Sequence, residues 1–444
     1  MCYNIPINKT RRINMNKIKV GVVGARRGET MIEYCRKAGN AELVAICEKR
    51  QDLIDEQKEK NLGLNVTYYT NYDEFLSHDM DAVVLANYAN EHAPFAIKAL
   101  KSGKHVFSEV LPCQTMKEAV ELIEAVEQSG LVYAYGENYC YMGAPYEMRK
   151  LYKEGKIGEL EYAECEYVHN CESIWPDIAY GEKDHWRNNM YSTFYCTHSI
   201  GPIIHSTGLR PVSVTGYEPD MMNERNLRMG AKSGQFGIEM IRLNNGAIVK
   251  SIHGGLYQGS IWYLMYGSKG RMESERECVG NGWFNRIYVK ADEHSGDYNG
   301  HEETYLPEDR SNNEEAKAFG HGGSDFYSMY NFINKILGNE DADIIDVYEA
   351  LDMFLPGMFA YRSIMIGGFP VEVPNLRDKA EREKWRNDTA CTDPNVAGDL
   401  LIPVFHKGNP DISDEVYDEQ RKKFETNLAK NQTFAAGKDE YKKN

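Results

Sequence analysis

The sequence predicts a two-domain α/β protein whose first domain is built on a parallel sheet. Its 444 residues exceed what one ordinary hydrophobic core supports. From Lys17 to about residue 140, short apolar runs alternate with helical segments, which is the pattern of parallel strands joined by right-handed crossovers. We predict a first domain over 17–140, a second over 141–375 and a charged C-terminal extension over 376–444. Residues 1–16 lack the apolar centre of a signal peptide, and we expect them to form a disordered leader.

The amino-acid composition argues against several classes of binding partner. A net charge of −16 argues against nucleic acid or an anionic membrane. The ten cysteines form no Cys-x-x-Cys pair, so they support neither a zinc ribbon nor a thioredoxin-type site. We therefore predict no metal centre, and we expect reduced thiols in a cytoplasmic protein. The sequence also has no apolar run of the about 18 residues that a spanning helix needs.

The first predicted strand is followed by a glycine-containing turn and a helix. Gly24 and Gly28 would let the backbone approach a pyrophosphate at the helix N-terminus. The next strand, Ala41–Cys47, is followed by Glu48, about where an acid accepts a hydrogen bond from a ribose hydroxyl. An acid there repels a 2′-phosphate, so NAD is favoured over NADP. Arg26 replaces the middle glycine of the usual motif. The pattern predicts a Rossmann dinucleotide-binding domain in which Gly24, Arg26, Gly28 and Glu48 bind NAD.

Polar residues also follow the later strands of this domain. Asn87 comes after one apolar strand and precedes a helix that begins at His92. Glu109 follows the strand His105–Ser108, and Asn138 follows the last predicted strand. Carboxyl ends of parallel strands share one edge of the sheet, where ligands of doubly wound folds bind. We therefore assign Asn87, His92, Glu109 and Asn138 to the cofactor site.

The order of Asn87, His92, Gly103-Lys104-His105-Val106, Glu109 and Pro112 resembles the Gfo/Idh/MocA family of NAD(P)-dependent sugar oxidoreductases. The resemblance implies a Rossmann domain followed by an α/β domain with a large open, mostly antiparallel sheet. It also implies a carbohydrate substrate and a homo-oligomer, either a dimer or a tetramer. The family usually carries Glu-Lys-Pro after this strand, and its Lys helps to move a proton. Here Val110 replaces that Lys and Leu111 is inserted, so an ordinary dehydrogenase is disfavoured.

Further motifs resemble a narrower group, the NAD-dependent α-N-acetylgalactosaminidases and related glycosidases. These motifs are Tyr-x-His-Asn at 167–170, Tyr-x-Thr-His at 195–198 and Gly-His-Gly-Gly-x-Asp at 320–325. Such enzymes use NAD without net redox: the sugar is oxidised at its 3-position, the aglycone is eliminated, water adds and the hydride returns. The resemblance assigns proton transfer to Tyr167 and Tyr195 and leaves open which of the two is the base. His169 and His198 would bind sugar hydroxyls or share the proton transfer, and NAD would stay tightly bound.

Several residues of the second domain can be interpreted in two ways. Trp175, Trp186 and Arg187 lie in a loop-like segment, where tryptophan rings either stack on a sugar or anchor the loop. His321 either lies at the rim of the site or belongs to a turn before a helix from Phe326, with Asp325 as the N-cap.

Three functions remain open at this stage. The first is a glycosidase that works by transient oxidation. The second is an NAD-dependent sugar or inositol dehydrogenase, which the absent Lys disfavours. The third is a non-enzymatic NAD-binding regulator, which predicts a decayed site. We also expect residues 279–320 to form a surface excursion, and the C-terminal extension to wrap a sheet edge or a neighbouring subunit.

Overall fold

A computed structural model of the protein describes residues 17–276, 286–291, 301–307, 314–317 and 319–430. The predicted leader and the last part of the predicted extension lie outside these residues. Six parallel strands form the first sheet, in the order β3-β2-β1-β4-β5-β6. The strands are β1 Ile18–Val23, β2 Ala41–Cys47, β3 Thr67–Tyr69, β4 Ala82–Leu85, β5 His105–Ser108 and β6 Tyr133–Tyr135.

Helices connect these strands, and their ends follow local capping rules. The longest has Thr115 as its N-cap, whose hydroxyl accepts from the amide of Glu118, and ends at Gly130 with φ 63°. Its apolar face, including Leu122 and Ile123, is fully buried. The helices are α1 Glu29–Lys37, α2 Gln51–Lys60, α3 Tyr72–Leu76, α4 His92–Lys101 and α5 Met116–Ser129.

Among the described residues, nine strands form the second sheet, in the order β14-β13-β12-β11-β7-β10-β9-β8-β15. Strands β7 and β10 pair in parallel, and the other pairs are antiparallel. The predicted fold class is therefore confirmed. The strands are β7 Leu160–Val168, β8 Pro211–Tyr217, β9 Phe236–Leu243, β10 Ile248–Gly254, β11 Ser260–Gly267, β12 Gly270–Ser274, β13 Ile287–Ala291, β14 His301–Tyr305 and β15 Val371–Glu372.

One face of the second sheet is covered by helices, and its alternating side chains divide accordingly. Along β10, Val249, Ser251 and His253 are buried, whereas Lys250 and Ile252 on the other face are half-buried. The helices after β6 are α6 Gly143–Lys153, α7 Trp175–Ala179, α8 Thr197–Thr207, α9 Glu224–Met229, α10 Glu314–Lys317, α11 Ser324–Ile336 and α12 Val347–Met365.

Helix α11 packs on the first sheet rather than the second. Its Met329, Phe332 and Ile333 share one buried cluster with Val22 and Phe107. The helix begins at Ser324, so the predicted N-cap role of Asp325 is wrong, and the side chain of Asp325 is free for partners elsewhere. This packing carries the first turn of α11 to the glycine turn of the Rossmann domain.

One other expectation needs correction. The predicted surface excursion contains β13 and β14, which extend the second sheet, because alternate residues such as Ile287 and Val289 are buried. The C-terminal extension packs on its own chain, where Arg382 and Arg386 form ion pairs with Glu127 and Glu124 of α5. Its helices are α13 Lys379–Trp385, α14 Pro394–Ala397 and α15 Asp414–Ala429. Within the described ranges, the helices are all too short or too polar to cross a membrane.

Candidate functional site

The glycine turn lies at the carboxyl edge of the first sheet, as predicted. Gly24 has φ +87°, and a Cβ there would lie 2.4 Å from the carbonyl oxygen of Ala86. A Cβ on Gly28 would lie 2.4 Å from the carbonyl oxygen of Gly24. Glu48 follows β2, and its carboxylate accepts hydrogen bonds from the amides of Ala25 at 2.8 Å and Arg50 at 3.0 Å. The strand end, turn and acid thus form one continuous edge.

Buried polar atoms at this edge indicate a polar ligand. Arg26 Nη2, Asn87 Oδ1, His92 Nε2 and Asn138 Oδ1 are buried and find no hydrogen-bond partner among the described residues. Buried polar groups are normally satisfied, so this concentration needs an explanation. The other ring nitrogen of His92 pairs with the carbonyl of Leu111 at 2.8 Å, and burial lowers the pKa of His92 to about 4. Hydroxyls and amides of a dinucleotide would satisfy these atoms.

A second group, the arginine cluster, consists of Arg27, Glu109, Asn138, His321 and Asp325. The Arg27 guanidinium lies 2.6 Å from Glu109 and 3.0 Å from Asp325. Asn138 Nδ2 donates to Asp325 at 2.9 Å, and His321 Nδ1 lies 3.1 Å from the same carboxylate. Sequence positions from the glycine turn, β5, β6 and α11 therefore meet at one point.

The charged groups of the arginine cluster shift one another's pKa values. Burial acts to raise the pKa of Asp325, but Arg27 and His321 outweigh it and hold that pKa well below its usual range. Burial raises the pKa of Glu109, although the Arg27 charge opposes the shift. Asp325 is therefore ionised, and its charge fixes the position of the arginine beside the cofactor edge.

Next to this cluster lies a group of rings, the tyrosine–histidine cluster of Tyr139, Tyr167, Tyr195 and His198. The His198 ring centroid lies 4.4 Å from that of Tyr139, 4.7 Å from that of Tyr167 and 5.0 Å from that of Tyr195. Tyr167 is at the end of β7, and Tyr195 precedes α8. The predicted residues Tyr167, Tyr195 and His198 thus come together, and His169 joins at 5.9 Å from Tyr167.

Glu137 orients the tyrosine–histidine cluster through hydrogen bonds to its carboxylate. The residue is fully buried, and its carboxylate accepts from Thr197 Oγ1 at 2.8 Å and from the amide of Tyr139 at 3.2 Å. His198 Nδ1 lies 2.7 Å from the same carboxylate. A carboxylate only accepts, so Nδ1 carries a proton, and in the neutral form of the imidazole Nε2 is the acceptor. The imidazole therefore presents a basic nitrogen among the phenols.

The phenols of this cluster are held in their protonated form. Burial raises the pKa of Tyr195 to about 12, with Arg187 opposing the shift. Burial raises the pKa values of Tyr139 and Tyr167 well above the usual range. Burial lowers the pKa of His169, and the Arg187 charge acts in the same direction, so His169 is neutral near pH 7. The cluster presents O–H donors beside imidazole acceptors.

The loop residues separate into two groups. The Arg187 guanidinium lies 4.4 Å from the Trp186 ring and 5.8 Å from the Tyr195 ring, so this pair borders the cluster. Trp175 is buried with Ala179 and Met229 in a small separate core, where its indole donates to Asn188 at 3.1 Å. These contacts support the interpretation that Trp175 anchors the loop.

Sequence reasoning assigned no site role to Arg27, Glu137 or Tyr139 and gave Asp325 the wrong one. Glu137 and Tyr139 flank Asn138, so the end of β6 was the available signal. Arg27 lies inside the glycine turn and meets Asp325 only through tertiary packing. Among the described residues, His, Cys, Asp and Glu side chains form no group of three or more arranged to hold a metal ion.

Comparisons with known proteins agree with this fold. Residues 18–137 match the model described as "Oxidoreductase family, NAD-binding Rossmann fold" of the Gfo/Idh/MocA type. Residues 260–386 match the model "Glycosyl hydrolase 109, C-terminal domain". The fold and the cofactor edge define an NAD-binding enzyme of the oxidoreductase class. Residues 18–137 are thus similar to the Gfo/Idh/MocA oxidoreductases, and residues 260–386 are similar to the C-terminal domain of glycosyl hydrolase family 109.

Full-length relatives and solved structures extend the match. A glycosyl hydrolase family 109 protein of Solibacter usitatus is 26% identical over 83% of this chain and 89% of its own length. An alpha-N-acetylgalactosaminidase of Shewanella oneidensis is 29% identical, although the alignment covers only 43% of this chain and 44% of that protein. The crystal structure of scyllo-inositol dehydrogenase from Lactobacillus casei, with bound NAD(H) and scyllo-inositol, has a TM-score of 0.61 at 20% identity. That likeness covers 81% of this chain and 99% of the dehydrogenase and shows the shared fold.

Proposed function

We propose that this protein is a glycosidase that works by transient oxidation at the 3-position of a sugar, elimination of the aglycone, hydration and re-reduction. The observation that carries the proposal is the tyrosine–histidine cluster oriented by Glu137, beside a strand end where Val110 replaces the usual Lys. The family 109 domain and the relatives of that family support the same reading.

The carboxyl edge of the first sheet fits the dinucleotide. Gly24, Arg26 and Gly28 would hold its pyrophosphate, Glu48 a ribose, and Asn87 and Asn138 the remaining polar groups. When bound, NAD supplies a hydride acceptor for the 3-position of the sugar and then the donor that restores it, so the net reaction is hydrolysis. The arginine cluster fixes Glu109 at the end of β5, next to the rings of the second domain.

The tyrosine–histidine cluster would move the protons. His198 Nε2 is the acceptor that the Glu137 contact leaves available, and it suits removal of a sugar proton. Tyr195 and Tyr167 are protonated, so they suit donation to the departing oxygen. Oxidation at the 3-position acidifies the proton at the 2-position, which a neutral imidazole can then remove. The neutral imidazole of His169 would take the proton of the 3-hydroxyl as the hydride leaves and return it on re-reduction. Water adds at the anomeric carbon, its proton restores the phenol, and His198 returns a proton to the 2-position. Overall the glycosidic C–O bond and one O–H bond of water break, and one C–O bond and one O–H bond form.

The ordinary sugar or inositol dehydrogenase is the second candidate, because solved structures of such enzymes share the fold. Both routes need a group that takes the hydroxyl proton as the hydride leaves, and the resemblance implies that the family's ordinary dehydrogenases use the Lys that follows the Glu at the end of β5. Val110 is aliphatic and 7% exposed, so it carries no proton and stands in the wall of the site. The non-enzymatic regulator predicts a decayed site, whereas the cluster has an oriented imidazole and three phenols.

The test is a panel of aryl glycosides with purified protein and NAD⁺, beginning with the α-N-acetylgalactosaminide because one relative carries that activity in its name. We expect release of the aglycone at constant NADH absorbance. Formation of NADH in step with consumption of an intact glycoside would contradict the proposal and establish a dehydrogenase. Trp186, Arg187, His169 and His321 are the residues we propose to contact the sugar.

We also propose that the protein is a cytoplasmic homo-oligomer. The face of the second sheet opposite α8 exposes tyrosine rings, with Tyr217 at 53%, Tyr266 at 41% and Tyr288 at 39%. A second copy is the partner this open face fits, because a two-fold axis would place like rings against each other. Light scattering after size exclusion should give a dimer or tetramer, and a monomer at micromolar concentration would contradict the assignment.

A further inference from the structure

The C-terminal helix α15 packs against the loop that contains α7 and forms an ion pair and a hydrogen bond with it. Lys183 pairs with Asp414 at 2.5 Å, and Arg421 Nη2 donates to the carbonyl of Gly181 at 3.1 Å. Gly181 has φ +65°, and a Cβ there would lie 2.4 Å from the backbone nitrogen of Arg421. Helix and loop are therefore in direct backbone contact, and the two segments form one unit.

That unit reaches the first domain through an aromatic cover, which we define as Tyr88, Tyr180, His185 and Phe424. The Arg50 guanidinium carbon lies 5.1 Å from the Tyr180 ring and 4.9 Å from the Phe424 ring. The Tyr180 and Phe424 rings meet edge to face at 5.2 Å, and the Tyr88 and His185 rings at 4.6 Å. Arg50 is thus held between a ring of the loop and a ring of the C-terminal helix.

The backbone at the cover is held in an unusual conformation. Tyr180 has φ 57°, in the left-handed region that favours glycine. A tyrosine persists there only when its surroundings determine the conformation. Its ring contacts with Phe424 and Arg50 provide that determination, so the loop and helix depend on each other.

The aromatic cover lies at the carboxyl edge of the first sheet, where NAD would bind, rather than at the tyrosine–histidine cluster, where the sugar would bind. Arg50 lies two residues after Glu48, beyond the end of β2, and Tyr88 directly follows Asn87, beyond the end of β4. Arg26 of the glycine turn keeps a buried guanidinium nitrogen without a partner among the described residues. These positions would border the adenosine half of a dinucleotide bound at a Rossmann edge. The family model ends at residue 386, so α15 lies beyond the matched region.

We propose that α15 and the loop around α7 close over the adenosine half of NAD and slow its dissociation. This inference rests on the proposed function, in which the same NAD serves oxidation and re-reduction within one turnover. A cofactor lost between the two steps would leave an oxidised sugar in the site. A cover that bridges both parts of the chain prevents that loss, because NAD can leave only after the ring contacts break.

The experiment measures exchange of bound NAD rather than turnover. Protein loaded with isotopically labelled NAD is desalted and mixed with excess unlabelled NAD, and the retained label is followed by mass spectrometry. Phe424→Ala removes one ring from Arg50 and Tyr180 and should speed exchange at least tenfold. Leu428→Ala, on the same helix but 39% exposed, is the matched control and should exchange within twofold of the parent protein.

Each outcome bears on the proposal. Exchange at the parent rate in a folded Phe424→Ala protein, with an unchanged melting temperature, would overturn it. Failure of the parent protein to retain any label would also overturn it. Should Phe424→Ala not fold, Arg50→Lys decides by the same criterion, because it keeps the charge and removes the flat stacking surface. Glycoside cleavage is read separately: faster exchange in a protein that cleaves no glycoside would retain this inference and contradict the proposed function.

Discussion

Replacing the carboxylate that orients His198 is the sharpest perturbation of the proposed chemistry. In Glu137→Gln the shape is kept, but three donors, from Thr197, Tyr139 and His198, face a group with only one acceptor oxygen. At least one of them then meets the new amide N–H₂. The His198 ring loses its charged partner and either turns or changes tautomer, so that Nε2 is no longer the acceptor.

The size of the effect follows from the bond that is lost. A hydrogen bond to a charged group contributes about 1.5–3 kcal/mol. At about 1.4 kcal/mol per factor of ten, kcat should fall about 10- to 150-fold. KM should change little, because Glu137 is buried beneath the rings and does not line the sugar site. Initial rates on an aryl glycoside, with bound NAD quantified in the same sample, give both values.

The same helix offers a matched control. His205 of α8 pairs through Nδ1 with Glu349 at 2.7 Å, the same distance as the His198–Glu137 pair. Glu349→Gln should lower the free energy of unfolding by about 1–3 kcal/mol and leave kcat unchanged. A kcat in Glu137→Gln within threefold of the parent, or an equal loss in both variants, would refute the role given to Glu137.

Three further predictions concern other groups of the site and core. Tyr195→Phe removes a proton donor and should lower kcat by about 10²–10⁴ with bound NAD unchanged; rates near those of the parent would exclude Tyr195 from proton transfer. Asp325→Asn leaves the Arg27 charge short of a partner, so thermal unfolding and NAD titration should show a protein about 3 kcal/mol less stable that binds NAD more weakly. Burial raises the pKa of Glu239 from 4.5 to about 8, so the folded state holds a proton that the unfolded state releases. Stability should therefore fall as pH rises from about 4.5 to about 8, and Glu239→Gln, which lacks this slope, should be about 3 kcal/mol more stable than the parent at pH 7. Urea unfolding at pH 5, 7 and 8.5 measures this difference, and parallel pH profiles for the two proteins would contradict it.

The fold of the first domain was predictable because its signals are local. Apolar runs, glycines and helix caps fix β1 to β6 one at a time, and a parallel sheet is their only common arrangement. The second domain was predictable only through resemblance. β13 and β14 look polar in sequence because in β13 only the alternate residues Ile287, Val289 and Ala291 are buried, and β14 has no buried residue.

The site was predictable where function and local pattern coincide. The pairs Tyr167/His169 and Tyr195/His198 are close in sequence and lie close in space. Glu137 was missed because its partner His198 lies in a different element, and a lone acid after a strand carries no signal of burial. Asp325 was misread for a similar reason. Its position suits a helix N-cap, whereas its actual partner Arg27 is brought near only by the packing of α11 on the first sheet.

The most direct test of transient oxidation is deuterium incorporation at the 2-position of the released sugar. The protein with bound NAD is incubated with a cleaved glycoside in D₂O, and the released sugar is analysed by mass spectrometry and proton NMR. Oxidation, elimination and hydration predict one solvent deuterium at the 2-position, with no build-up of NADH. Release of a sugar that keeps its original hydrogen at the 2-position would contradict the mechanism, since direct displacement at the anomeric carbon leaves that bond intact.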